Sequence, residues 1–161
     1  MVEGKRFNVL IVGGGTAGIT VASSLVRRQG NRALSIAVIE PADDHYYQPA
    51  FTLVGAGVCS LDSTRRGESR LIPDGVHWIR DKAAAFDPDD NVVTLAGGDS
   101  ISYDYLVVCP GLTLDWQKIQ GASEALGSNG VCSNYDPLHV EYTWQCLQGL
   151  KAGDKALFTQ A

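Results

Sequence analysis

Several things are scarce in this sequence, and each scarcity removes a class of function. No apolar run approaches the roughly 20 residues that a membrane-spanning helix requires, so no such span is expected. Lys and Arg total 13 against 18 Asp and Glu, a net charge of −5. Without a basic stripe, nucleic acid is not an expected partner. Only four cysteines occur (59, 109, 132 and 146), with no CxxC and no zinc-ligand spacing. A reducing cytosolic compartment would keep such thiols free. Residues 1–7 carry no hydrophobic leader, because the apolar run that follows breaks at Gly13, so no secretory signal is expected. Repeats and low-complexity tracts are absent too. The 161 residues are 45% hydrophobic and 19% charged, an ordinary globular composition. A chain of this length buries roughly 70% of its unfolded surface.

What is present is concentrated near the N-terminus. Residues 7–12 are an apolar run too short for a helix, and glycines follow at 13, 15 and 18. Ile19, Ala22, Leu25 and Val26 then recur at helical spacing, and Gly30 closes the segment after Arg27 and Arg28. The pattern predicts a buried strand, a tight turn and a helix. In that context the GxGxxG spacing has a physical meaning. Gly13 allows the turn, Gly15 lets a pyrophosphate approach the backbone, and Gly18 lets helix and strand pack closely. The phosphates then face the unpaired N–H groups of the helix, beginning at Thr16 and Ala17, and its positive end. A second strand is expected at 35–39, ending in Glu40, 22 positions after Gly18. An acid there takes the ribose hydroxyls and repels a 2′-phosphate. These residues describe a site for an ADP moiety.

Beyond it, 41–45 is a turn-rich exit. Residues 46–49 bring two tyrosines, Gln48 and Pro49 into a loop, as either a wall against a flat ring or a core-facing aromatic pair. The charged stretch 63–69, with Arg65 and Arg66, reads as a surface loop. Val76–Ile79 is the expected third strand, placed beside the first, with His77 on a sheet face and 80–85 passing the adenine. Runs at 92–95 and 100–103, joined across Gly97 and Gly98, predict a hairpin in a meander that replaces a crossover helix. A further buried strand is expected at 105–109, before Pro110 and Gly111. Periodicity fades from 112 to 130. A helix is expected over 136–148, with Asp136 as N-cap and Pro137 at the first helical position. Cys109 and Cys146 read as core thiols. An apolar strand at 155–159 without a successor predicts that the chain is the N-terminal part of a longer protein.

Taken together, IVGGGTAGIT (11–20), VIEPADDHYYQPAFTLVGAG (38–57), IPDGVHWI (72–79), ISYDYLVV (101–108), GSNGVCSNYD (127–136) and KALFT (155–159) resemble the sulfide:quinone oxidoreductases. These are FAD enzymes of the superfamily with two dinucleotide-binding domains. The stretch at 45–57 is far more specific than the glycine motif. The resemblance implies an α/β fold, a Rossmann-like FAD-binding domain with a parallel sheet and an inserted β-meander. Domain limits would be 1–115 for the N-terminal part of that domain, 116–152 for a connection and helix, and 153–161 for the start of a second dinucleotide-type domain. It further implies that Gly13, Gly15, Thr16, Ala17 and Gly18 hold the FAD pyrophosphate, and that Glu40 and Pro41 lie at the ribose. Gln48 and Pro49 would lie near the flavin, Ala83 would meet adenine through its backbone, and Gly111 would contact the flavin. Cys109 and Pro110 depart from the usual residues before that glycine.

In such enzymes sulfide is oxidised at a cysteine pair beside the flavin, and electrons pass to a membrane quinone. That pair would lie beyond residue 161, so the chain alone is expected to be inactive. Cys132 matches a third cysteine of some members and is the one catalytic candidate here. No metal is implied. Localisation would be cytoplasmic, with peripheral membrane contact through the C-terminal region of the longer protein. The exposed strand at 155–159 would favour self-association. No CxxxxC motif follows the second strand, which argues against a disulfide reductase. Two other readings stay open: a type II NADH dehydrogenase, and a nucleotide-binding module without redox chemistry.

Overall fold

In the computed structural model, which describes residues 5–30 and 33–159, the N-terminal apolar run is strand β1 (Arg6–Val12). The glycine turn leads into helix α1 (Thr16–Arg28), with Arg27 and Arg28 in its last turn, where cations complement the helix dipole. Strand β2 (Ile36–Ile39) is buried at every position, as expected of an inner strand covered on both faces. Then come β3 (Asp44–Tyr46) and β4 (Arg65–Gly67), which pair as a separate two-stranded sheet. The main sheet is completed by β5 (Val76–Ile79), β6 (Ala83–Asp87), β7 (Val92–Leu95) and β8 (Ser100–Val108).

The strand order is β5-β2-β1-β8-β7-β6. Strands β5, β2, β1 and β8 run parallel, and β7 and β6 continue antiparallel as the expected meander. One placement differs from expectation. Residues 76–79 pair with β2 and not with β1, whose other neighbour is β8. The inner position goes to the longer strand, and four-residue β5, with His77 exposed, takes the edge. The runs at 100–103 and 105–109 are also one strand, ending at Val108. Its second half is less buried than expected, since Tyr105 and Val108 are 72% and 53% exposed. Asp104 at its centre accepts hydrogen bonds from Asn8 Nδ2 (2.7 Å) and Arg6 Nε (3.1 Å), tying β8 to β1.

The chain divides into two units, the first formed by residues 1–46 and 66–112. Its core has two parts. Leu10, Val12, Ala37 and Ile39 join Val93, Leu95, Ile101 and Tyr103 of the meander. Val9, Ile11, Ile36 and Val38 pack around Ala22 of α1. Each fully buried Leu, Ile or Val contributes about 1.5–3 kcal/mol relative to exposure.

The second unit, residues 47–65 and 113–161, has little regular structure. A 3-10 turn at Gln48–Ala50 runs into α2 (Phe51–Gly55), followed by α3 (Leu61–Thr64). After another such turn at Trp116–Lys118 come α4 (Ala122–Ala125) and α5 (Val140–Gly149). Helix α5 starts later than expected. Asp136 does not cap it; its carboxylate accepts from Leu138 N–H (2.9 Å) and contacts His139 Nδ1 (2.6 Å), closing a turn before the helix. This local hydrogen bonding competes with helix initiation.

Phe51, Val54 and Val140 form the buried centre of this unit. Two glycines set its packing. A Cβ on Gly55 would overlap the Asn134 amide, and one on Gly57, whose φ is +70°, would overlap the Trp144 indole. The stretches 45–57 and 127–136, both part of the family resemblance, thus meet through Gly55 and Asn134. Residues 155–159 form no strand; a strand needs a partner for its backbone groups, and none is present among the described residues. Residues 160 and 161 lie outside them.

Candidate nucleotide-binding site

The site grows from the end of β1. Gly13 has a φ of +101°, and a Cβ there would overlap the Cys109 carbonyl after β8. Only glycine meets both conditions. At Gly18 a Cβ would overlap the Gly13 main-chain oxygen and lie 3.3 Å from Ile11 Cγ2, so α1 crosses β1 at contact distance. Gly15 is the opposite case: a Cβ there would meet nothing within 4 Å. It is exposed, as are Thr16 and Ala17. Gly15 is the N-cap of α1, no side chain caps it, and no acid lies in the first turn. The first N–H groups of this 13-residue helix therefore open on solvent without an intrahelical acceptor. Together with the dipole they make a site for an anion.

Glu40 stands where β2 ends, beside this turn. Its Oε2 accepts from Gly14 N–H and its Oε1 from Ala42 N–H, each at 2.8 Å. Two main-chain donors thus orient the carboxylate while each oxygen keeps a further acceptor direction for a ribose hydroxyl. The residue is braced from behind: Trp78 Nε1 donates to its carbonyl oxygen at 2.9 Å. Arg80 lies 4.0 Å over the Trp78 ring and its guanidinium is 3.4 Å from Asp43. Pro41 is exposed immediately after Glu40.

Gly13, Gly15, Thr16, Ala17, Gly18 and Glu40 therefore come together as one cradle. Ala83 begins β6, half-buried against the core. Gly111 has open space around its Cα. Gln48, Pro49 and Cys132 belong to the second unit. Gln48 and Pro49 are exposed on their 3-10 turn, and Tyr47 beside them is 55% exposed. The aromatic residue that fills the core there is Phe51, not Tyr47. Cys132 is half-buried, 3.9 Å from the Gly130 carbonyl. Burial pushes its thiol up from the ordinary value; neighbouring Thr143 works against this, and Cys146 adds to it. An activated thiol needs the reverse. Cys109 and Cys146 are half-buried rather than fully in the core.

One residue at the cradle has no counterpart in the sequence reading. The stretch 63–69 is not a surface loop: it holds the end of α3, strand β4 and a 3-10 turn (Glu68–Arg70), and it buries Thr64 and Glu68. Glu68 is 1% exposed. Burial, and secondarily the charge on Glu40, raise its carboxyl to about 7. Nothing in the local pattern distinguishes this acid from its solvated neighbours.

With this geometry in place, the similarities to known proteins take on a structural meaning. The sequence profile of the pyridine nucleotide-disulphide oxidoreductases matches residues 7–143. The chain is 44% identical over 155 residues to the mitochondrial sulfide:quinone oxidoreductase of Mus musculus, covering 96% of this chain and 34% of that protein. To the mitochondrial sulfide:quinone oxidoreductase of Dictyostelium discoideum it is 43% identical over 151 residues, covering 94% and 33%. The X-ray structure of the sulfide:quinone oxidoreductase from Aquifex aeolicus matches with a TM-score of 0.68 at 28% identity, over 92% of this chain and 33% of that one. The chain thus spans about a third of the length of the curated relatives it matches. The profile match and the strand–glycine turn–helix–strand–Glu40 geometry agree: this chain belongs to the pyridine nucleotide-disulphide oxidoreductases, a family of FAD-dependent oxidoreductases.

Proposed function

We propose that the chain is the N-terminal FAD-binding portion of a flavoprotein that oxidises sulfide and passes the electrons to a quinone. The observation that carries the cofactor half is the cradle itself, an uncapped helix N-terminus beside a carboxylate held by two main-chain donors. The sulfide and quinone half rests on 43–44% identity to sulfide:quinone oxidoreductases over nearly the whole chain.

The residues fit FAD, because Gly15 leaves room where a side chain would stand and Glu40 keeps acceptor capacity. FAD, when bound, supplies the electron-transfer chemistry. The protein's part in this region is to bind and orient. The N–H groups at Thr16 and Ala17 take the pyrophosphate, and Glu40, with Pro41 beside it, takes the ribose. In the same reading Ala83 offers its backbone to adenine, Gly111 approaches the flavin, and Gln48 and Pro49 line the flavin ring. A sulfur-handling role for Cys132 would require the longer protein to lower a thiol that burial raises here. The cysteine pair and the quinone-facing, peripherally membrane-bound region belong to the longer protein, so the 161 residues alone do not turn over. Leu157 and Phe158, 90% and 78% exposed, support self-association of the isolated chain.

The test is a flavin-fluorescence titration. Glu40→Arg removes the acceptor and should weaken FAD binding by about 1–3 kcal/mol; unchanged affinity would displace Glu40 from the ribose. For the longer protein, sulfide-dependent reduction of a soluble quinone is expected. NADH-dependent reduction without a response to sulfide would favour a type II NADH dehydrogenase instead.

A further inference from the structure

Glu68 is the one buried acid among the described residues, and nothing in the cofactor reading above uses it. A Cβ on Gly14 would lie 2.6 Å from Glu68 Oε1 and 2.7 Å from Glu40 Cβ and Cγ. The two acids therefore crowd the same face of the phosphate-binding turn. Glu68 Oε1 has no hydrogen-bond partner. Its other oxygen is 3.8 Å from His45 Nδ1 on β3, beyond hydrogen-bond length. Asp43 faces it only through the main chain, its carbonyl accepting from Glu68 N–H at 2.8 Å, while its carboxylate pairs with Arg80. Among the described contacts, the titratable side chains set against Glu68 are Glu40 from the end of β2 and His45 from β3.

We propose that Glu68 is a positioning residue of the nucleotide cradle: as a neutral carboxylic acid it packs behind Gly14 and Glu40 and keeps the ribose-binding carboxylate and the phosphate turn in place. A buried carboxylate with one oxygen unpartnered costs free energy, and protonation lowers that cost. Ionised Glu68 would set a second negative charge behind Glu40 and beside the turn that must receive a pyrophosphate. Its carboxyl, raised to about 7, changes protonation around neutral pH.

The sign follows from linkage. A bound pyrophosphate adds negative charge near Glu68 and favours its protonated form, so FAD binding takes up protons at and above that pH. Affinity then falls as pH rises, at most about tenfold per pH unit for a single proton. The inference rests on the FAD reading.

The experiment measures the FAD dissociation constant of the full chain between pH 6 and 9 for wild type, Glu68→Gln and Glu68→Ala. Wild type should lose affinity several-fold across this range. Glu68→Gln, isosteric and permanently neutral, should bind with an affinity that stays flat and exceeds wild type at pH 9. Glu68→Ala should bind weakly throughout. Proton uptake by wild type, from binding enthalpies in two buffers of different ionisation enthalpy, gives a readout that needs no variant. A wild-type pH profile in Glu68→Gln, or no proton uptake at pH 7.5, would overturn the positioning role while leaving the FAD site standing. No FAD binding by any form at any pH would overturn the FAD reading and this inference with it.

Discussion

The two units of this chain hold their folds in different ways. In the first, the main sheet and α1 supply a hydrogen-bond lattice, and Leu10, Ile11, Ala37 and Val38 have no exposure at all. Two of its glycines, Gly13 and Gly18, are tight where main chain crosses main chain, while Gly14 is tight against the Glu40 and Glu68 side chains. In the second, helices of four to ten residues are too short to be stable alone. Its glycines are tight against side chains, Gly55 under Asn134 and Gly57 under Trp144. A backbone clash cannot relax, whereas a side chain can move aside. Gly13 and Gly18 should therefore tolerate less than Gly55 and Gly57.

That contrast can be broken most decisively at Gly18. Gly18→Ala puts a methyl group into the Gly13 carbonyl, and a loss of about 3 kcal/mol or more is expected, measured by urea denaturation of the full chain. A loss under 1 kcal/mol would mean that α1 crosses β1 less closely than described.

Gly57→Ala should cost less, about 2 kcal/mol, part steric and part from its left-handed backbone. Adding Trp144→Leu should return the steric part and leave the backbone part. If the double variant is no more stable than the single one, the Trp144 contact is not what confines Gly57.

The smallest effect sharpens the lattice side of the comparison. Hydrogen bonds from Asn8 and then Arg6 hold the Asp104 carboxyl below the ordinary range. A depressed carboxyl contributes stability above its unfolded value and loses it as pH falls through the folded one. Asp104→Asn should therefore destabilise slightly at neutral pH, less at high salt, and the difference from wild type should close in acid. A difference that persists in acid would assign the effect to packing.

Glu68 shows where reading a sequence stops. The stretch 63–69 contains Arg65, Arg66 and Glu68, and charge density alone predicts solvent exposure. Burial of Glu68 depends on a turn whose N–H donates to the Asp43 carbonyl and on Gly14 having no side chain, contacts remote in sequence. Asp136 teaches a related lesson. Its composition suits an N-cap, but a hydrogen bond to Leu138 and contact with His139 form a turn that helix propensity does not include.

The sequence by itself determined β1, α1, β2, the meander and the cradle from Gly13 to Glu40. These rest on periodicity and on glycine spacing, which act within a few residues of one another or across one strand–helix–strand unit. Only the tertiary structure decided that Val76–Ile79 takes the edge beside β2, that Gly55 and Gly57 receive Asn134 and Trp144, and that Glu68 is buried behind Glu40. Strand order, close side-chain approach and the desolvation of a carboxyl all depend on which distant segments meet, and local pattern does not encode that.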